Sequence, residues 1–286
     1  MQDYWPIPAK TTALTFVFPG LLGGMNPESF AELWQARYGE TPPENAPDLA
    51  GFMSHRSVRE FSDRPIEPEV LSALFAAPQS AATSSNLQLY TYITVQDPAR
   101  RAQVNALCSN QKQITTASVF LVVCVDLYRH QAMSQPNGLH FTEVFLTGCV
   151  DAALATERLV CAAESLGIGS CYIGAVRNHP KELAELLQLP PQVFGIFGLC
   201  LGYLNPETVA DIKPRLAQNS LVFPERYDAT HRPTEYDERM RHYFAKRNVD
   251  PAITWSMRSG RRLSEGNMSG REQLGAILRD FGFNQD

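Results

Sequence analysis

The sequence predicts an α+β chain in which a small sheet is sandwiched between helices. Helices outnumber strands, the valine-rich run 119–125 is apolar at every position, and the two kinds of segment interleave from residue 48 onward. With 286 residues, 44% hydrophobic and 19% charged, the chain is long enough to bury a substantial core.

Residues 1–48 read as an N-terminal extension. A strand-like stretch at 14–18 leads into a glycine-rich turn, and a helix starts at Asn26-Pro27-Glu28, with Asn as cap and Pro in the first turn. Phe30, Leu33, Trp34 and Tyr38 form its apolar stripe, and the prolines of 41–47 make a linker. The core, 49–226, carries helices at 49–53, 68–77, 98–107, 142–166 and 181–187 and strands at 90–95, 119–125, 170–173 and 193–201. The run 119–125 suits a strand covered on both faces. The helix 142–166 is apolar almost all round, so it belongs in a core or a subunit interface, and it closes at Gly167. The charged tail, 227–286, is helical at 235–246 and 271–281.

Charge narrows the partners. A net charge of -5 leaves no basic excess for nucleic acid. Cysteines 108, 124, 149, 161, 171 and 200 form no CxxC or Cys/His cluster, so they read as buried thiols and not as a zinc site. The apolar stretch 11–25 lacks a basic n-region and is broken by Pro19, Gly20, Gly23 and Gly24, unlike an export signal. No apolar run is long enough to span a bilayer. The expected location is cytoplasmic.

Three segments concentrate polar chemistry. His55-Arg56-Ser57-Val58-Arg59 offers a phosphate or carbonyl several donors at a helix end. Ala82-Thr83-Ser84-Ser85-Asn86-Leu87-Gln88 lets a planar ligand approach the backbone closely. Lys213-Pro214-Arg215 presents two cations on an extended segment. Taken alone, these segments equally fit a solvated helix terminus, a capping loop and an exposed basic turn. No strand is followed by GxGxxG and a helix, and GxxxxGK[ST], GxSxG and HExxH are all missing.

In order along the chain, these segments join three others: Asn110-Gln-Lys-Gln, Ala162-Ala-Glu-Ser-Leu-Gly-Ile-Gly-Ser-Cys-Tyr-Ile-Gly and Phe197-Gly-Leu-Cys-Leu-Gly. From about residue 51 to 250 the pattern resembles the oxygen-insensitive NADPH nitroreductase and flavin reductase P group of FMN-dependent nitroreductases. The resemblance implies a three-layer sandwich with a mainly antiparallel sheet, a homodimer with C-terminal exchange, and an FMN cofactor reduced by NADPH or NADH. It also implies ping-pong delivery of two electrons to nitroaromatics, quinones or flavins, with no obligatory catalytic side chain. Arg56 and Ser57 would meet the FMN phosphate, with Lys213 and Arg215 completing the clamp. His55 would lie beside the ribityl or pyrimidine side, and Arg59 and Gln111 near the pyrimidine edge, where a cation stabilises reduced flavin. Ser84, Ser85 and Asn86 would come from the partner subunit, with Tyr172, Ile173 and Gly174 along the ring. Arg247 matches an arginine that reads the 2′-phosphate of NADPH.

The chain also departs from that pattern. Ala175 stands where the family has a second glycine, a change expected to trim the pocket, and Ala252 where it has a second basic residue. The resemblance is silent on residues 1–48. Two other readings share the motifs: a specialised FMN enzyme, such as a reductive dehalogenase or flavin-processing enzyme with the 227–270 segment as lid, and a flavin-binding redox sensor without turnover.

Overall fold

The computed structural model describes residues 28–208, 210–247, 249–250 and 252–283; the expected strand at 14–18 and cap at Asn26 lie outside them. Four strands, β1 (Tyr90–Thr94), β2 (Val119–Asp126), β3 (Ile168–Ile173) and β4 (Val193–Tyr203), pair antiparallel in the order β1-β2-β4-β3. The helices are α1 (Phe30–Tyr38), α2 (Ala50–Met53), α3 (Pro68–Ala76), α4 (Pro98–Leu107), α5 (Lys112–Thr116), α6 (Tyr128–Ser134), α7 (Thr142–Ser165), α8 (Pro180–Leu187), α9 (Thr234–Ala245), α10 (Trp255–Leu263) and α11 (Leu274–Asp280).

β2 explains the layering. All of its residues are buried, and they alternate between two cores. Phe120, Val122 and Cys124 pack with Val104 of α4, Ile114 of α5 and Leu183 of α8. Val119 and Leu121 pack with Leu74 of α3 and Leu159 and Val160 of α7, while Val123 and Val125 pack with Ala152 of α7 and Leu278 of α11. The sheet is therefore the middle of three layers, as the interleaved pattern implied.

Most expected elements are present, and the differences have local causes. α1 starts at Phe30 and not at Asn26, because Ser29 and Glu32 form a capping box in which each side chain accepts from the other's backbone. It ends at Gly39, in the left-handed region at φ 76°. Arg37, one turn after the buried Leu33, takes the place of the expected apolar stripe at this end of the helix. α5, α6 and α10 were not anticipated: α5 and α6 are too short to show a periodicity, and α10 is rich in arginine and contains Gly260. All six cysteines are free, and burial pushes the Cys108 thiol up to about 12 and that of Cys149 up to about 11, so these two stay protonated. Among the described residues no helix is long and apolar enough to cross a membrane.

One glycine positions the polar segment 55–59. Val58 donates its backbone N–H to the Ser170 carbonyl at 2.8 Å, and Ser57 bridges Ser170 in parallel, which lays this segment along the start of β3. The approach is close because Gly169 has no side chain: a Cβ there would stand 2.5 Å from Val58 Cγ2. Gly169→Ala is expected to lower stability by about 1–3 kcal/mol, through overpacking of a tight contact. Urea unfolding of Gly169→Ala and of Gly169→Ala/Val58→Ala checks the cause. The double variant regains part of the loss if the Val58 contact is responsible.

Candidate active site

Three parts of the chain converge on one cavity of about 300 Å³. The segment after α2 brings His55, Arg56, Ser57 and Arg59; the segment after β4 brings Lys213 and Arg215; α9 and the residues after it bring Tyr243, Phe244 and Arg247. Seven of the residues singled out in the sequence thus meet here, together with Arg37 and Arg258, which sequence reasoning missed.

The cations fall into two groups. Arg37 is 6% exposed and spends its guanidinium on backbone carbonyls: Nη1 donates to Lys213 at 2.9 Å, and Nη2 to Met53 at 2.9 Å and His55 at 2.5 Å. Its own carbonyl accepts from the Arg215 N–H at 2.8 Å. Burial, and then the nearby Arg215, lower its pKa. Arg56 is also buried, donating to Ser54 and Ala210 carbonyls at 3.1 Å and pairing with Glu28. His55 Nδ1 lies 2.6 Å from Glu164 Oε1, and Arg247 pairs with Asp211 at 3.1 Å.

The other group is open. Among the described residues Arg59 has only a long contact of 3.4 Å to the Ser57 carbonyl, and the Arg215 guanidinium only contacts of 3.3 Å to the Lys213 and Pro214 carbonyls. Among the described residues no carboxylate or carbonyl takes the Lys213 ammonium or the Arg258 guanidinium. Partial desolvation, followed by Arg59, Arg215, Arg247 and Arg258, lowers the Lys213 pKa. A cavity that assembles unpaired cations in this way is built for an anion.

The remaining predicted residues lie elsewhere. At the far end of β3, Tyr172 is 37% exposed, packs edge-on against Phe197 and donates its hydroxyl to Glu157 at 3.0 Å. Burial, then Glu157, raise its pKa, so the phenol keeps its proton. The Ile173 side chain is in the core. Gly174 opens a turn where an added Cβ would find only ordinary contacts, 3.5 Å from Arg177 and 3.8 Å from Arg271. Ala175 is 8% exposed and packs in the core layer of Val176 and Leu183. Its methyl therefore does not trim a pocket, as its departure from the family pattern had suggested. Gln111 sits at the start of α5, donating to the Cys108 carbonyl at 3.1 Å and accepting from Gln113 at 2.9 Å.

Ser84, Ser85 and Asn86 do not line this chain's cavity. They sit on a loop against α7, with Ser85 and Asn86 in the left-handed region at φ 47° and 58°. Asp151, 1% exposed on α7, holds the loop by accepting from Thr83 Oγ1 at 2.7 Å, Ser84 N at 2.9 Å and Leu89 N at 3.2 Å. A carboxylate in the apolar middle of a helix is costly unless it is satisfied, and that signal could have singled out Asp151 in the sequence. Arg37 carried a similar one, a cation one turn from Leu33 on the helix's inner face.

Comparison with known proteins agrees with this geometry. The nitroreductase family model matches residues 52–203, and the model of that family's C-terminal domain matches residues 213–286. The chain belongs to the nitroreductase family. It is 34% identical over 247 residues to the FMN reductase (NADPH) of Bacillus subtilis, covering 82% of this chain and 97% of that one. It is 36% identical over 225 residues to the oxygen-insensitive NADPH nitroreductase of Salmonella typhimurium, covering 78% and 93%. The NADPH:FMN oxidoreductase structure from Vibrio harveyi, complexed with NAD+, superposes with a TM-score of 0.76 at 30% identity, covering 83% of this chain and 99% of that one. α1 precedes both matched regions of this nitroreductase-family chain, yet it supplies the strut of the cavity through Arg37.

Arg37→Ala removes the donors of three carbonyls and is expected to cost about 2–4 kcal/mol. Arg37→Lys recovers little, because an ammonium cannot reproduce the planar fork. Denaturant midpoints of both variants test this, and wild-type stability in either would remove Arg37 from the strut role.

Proposed function

We propose that this protein is an FMN-dependent NAD(P)H oxidoreductase that delivers two electrons to small electrophilic acceptors such as nitroaromatics, quinones or flavins. The observation that carries the reading is the cavity of unpaired cations, placed at one end of a strand whose other end opens onto a glycine turn. Ser57 is bridged to Ser170 at the start of β3, and the run from Ser170 to Ile173 covers ~10 Å of strand. The phosphate of FMN would be held by Lys213, Arg215, His55 and Ser57, and its ring would lie toward Tyr172 and Gly174. Between them on the strand is the buried Ser170, whose Oγ has no hydrogen-bond partner among the described residues.

When bound, FMN supplies hydride acceptance and donation, and the protein supplies orientation and charge. Lys213 and Arg215 would hold the phosphate, whose charge relieves the repulsion among the neighbouring cations. Arg59, on the same segment as Ser57, is free to place its charge near the pyrimidine edge and stabilise negative charge gathered there. Arg56 acts at one remove: its donors are spent on Glu28 and two carbonyls, and it keeps the Ala210 segment against the cavity. Gln111 has its amide engaged by Cys108 and Gln113, so its contribution to a ring requires exchange of those bonds.

The same reading includes a homodimer built on α7. One face of α7 is buried, while Leu146, Val150 and Leu154, spaced by helical turns on another face, are 56%, 48% and 46% exposed. Asp151 ties the loop of Ser84, Ser85 and Asn86 to this same helix. A two-fold interface across α7 carries that loop toward the partner's cofactor site, supplying contacts that the loop does not make in its own chain.

Purified protein is expected to be yellow and to oxidise NADPH or NADH with menadione or nitrofurazone as acceptor. Yellow protein idle with both nicotinamides points to a sensor, and protein that takes up no FMN on titration ends the proposal. Arg215→Ala raises the FMN dissociation constant about tenfold, the scale of one charge-assisted contact. Val150→Glu/Leu154→Glu is expected to give monomers in analytical ultracentrifugation, with weakened FMN retention. A dimer that persists with both charges in place would move the interface away from α7.

A further inference from the structure

We infer that the exposed face of α10 is a binding groove for the electron acceptor, and that it selects aromatic acceptors carrying a carboxylate or sulfonate. The inference rests on the oxidoreductase reading and names the acceptor class which that reading leaves open. Ile253, Met257 and Leu263 line a groove of about 960 Å³ together with Arg258, Arg261 and Arg262. That space is within the range of small-molecule sites. Among the described residues no carboxylate lines it.

α10 is anchored but not buried. Thr254 caps it by accepting from the Met257 N–H, Ser256 N donates to Asp237 of α9 at 2.8 Å, and Trp255 packs edge-on against Tyr236. Beyond these anchors the helix faces water, with Met257 59% and Leu263 71% exposed. Large apolar side chains left open beside cations mark a surface for a ligand with an apolar body and a negative charge. A thioether adds a polarisable contact for an aromatic ring.

The three arginines stand at i, i+3 and i+4, so they share one side of the helix. Arg258 stacks on Phe244, 4.8 Å from the ring centroid, and Arg262 donates to the Asn267 carbonyl. Among the described residues Arg261 has no acceptor, and none of the three pairs with a carboxylate. The Glu272 carboxylate, in the field of Arg262, accepts from the Met268 N–H at 3.0 Å. Arg261 is therefore the cation most open to an incoming anion.

The helix spans the site. At one end Arg258 also lines the cavity of Lys213 and Arg215. At the other, Arg262 lies near Arg177 and Arg271, whose pKa values are lowered first by burial, with Arg262 among the contributing charges. Those two arginines are the side chains that a Cβ at Gly174 would meet, at 3.5 and 3.8 Å. The groove thus runs between the two places that the proposed cofactor touches. A nitroaromatic held there takes two electrons and a proton as hydride equivalents from NADPH or NADH and a second proton from solvent. Its nitro group loses one oxygen as water and becomes a nitroso group, while the carboxylate only anchors the ring.

The test compares 4-nitrobenzoate with its neutral isostere 4-nitrobenzamide on the FMN-loaded wild type and on Arg261→Ala, Arg261→Lys, Met257→Ser and Arg100→Ala, the last an exposed arginine on α4. Calorimetry gives the dissociation constant of each compound, and NADPH oxidation gives kcat/KM with each as acceptor. The wild type is expected to bind the benzoate more tightly than the amide. Arg261→Ala should reduce the benzoate-over-amide ratio about fivefold in both readouts, the scale of a solvent-exposed ion pair. Arg261→Lys should retain most of the ratio and Arg100→Ala all of it. Met257→Ser should weaken both compounds alike, since the ring and not the charge rests on it. A wild type that binds the amide as tightly, or an Arg261→Ala variant that keeps the ratio, overturns the inference. So does Arg261-dependent sedimentation with phosphatidylserine vesicles without benzoate binding, which assigns this face to a lipid surface. A wild type that takes up no FMN is a different result: it ends the oxidoreductase reading and the acceptor role with it.

Discussion

The site depends on one buried guanidinium. Arg37 joins three stretches that are far apart in the chain: α1, the segment Met53–His55, and the backbone of Lys213 and Arg215. Like charges resist this assembly. Two cations ~8 Å apart repel by about 2 kcal/mol at an effective dielectric of ~20, and Arg59, Arg215, Arg247 and Arg258 all disfavour the charge on Lys213. Backbone carbonyls aimed at Arg37 and carboxylates at Glu28, Glu164 and Asp211 offset part of that repulsion. What remains uncompensated, on Arg59, Lys213, Arg215 and Arg258, is available to a ligand.

The sheet converts this charge into geometry. β2 and β4 form the buried centre, and β3, at the edge, is the strand on which the segment 55–59 lies. Close approach is made possible by missing side chains: Gly169 admits Val58, Gly198 admits the Phe120 ring and Gly202 admits Phe61. These glycines are therefore packing devices and not a dinucleotide fingerprint. The same strand runs into the turn that begins at Gly174, so the segment 55–59 and that turn are held at a distance set by strand rise.

The sheet layers were legible because apolar periodicity records burial within one segment, as in the uniformly buried β2. The cationic motifs were legible too, since Arg59, Lys213 and Arg215 stand at element ends where apolar residues do not compete. Partnership was not legible. Nothing local distinguishes Arg56, whose donors are spent, from Arg59, whose donors are open. α10 was hidden for the same reason. Its sequence places Gly260 and several arginines where a helix interior is expected, and it is held by Trp255 on Tyr236 and by Asp237, contacts made with another helix. Asp151 lies between these cases: its cost was visible in α7, but the loop that meets it was not.

The division between spent and open cations also orders the cavity by origin. The core contributes Ser57 and Arg59 on the segment that β3 holds in place, while the C-terminal region contributes Lys213 and Arg215 on an extended segment and Arg247 and Arg258 around α9. Arg37 reaches across this boundary to the Lys213 carbonyl, so the core-side and C-terminal halves of the cationic cavity cannot move apart without breaking its hydrogen bonds. The aromatic shelf of Tyr243 and Phe244 has no such tie to the core through Arg37. It is held by α10 and by the Arg247–Asp211 pair, both partly solvent-exposed. The cation-lined part of the cavity is thus tied rigidly to the core, whereas the aromatic shelf is tethered more loosely, through contacts within the C-terminal region.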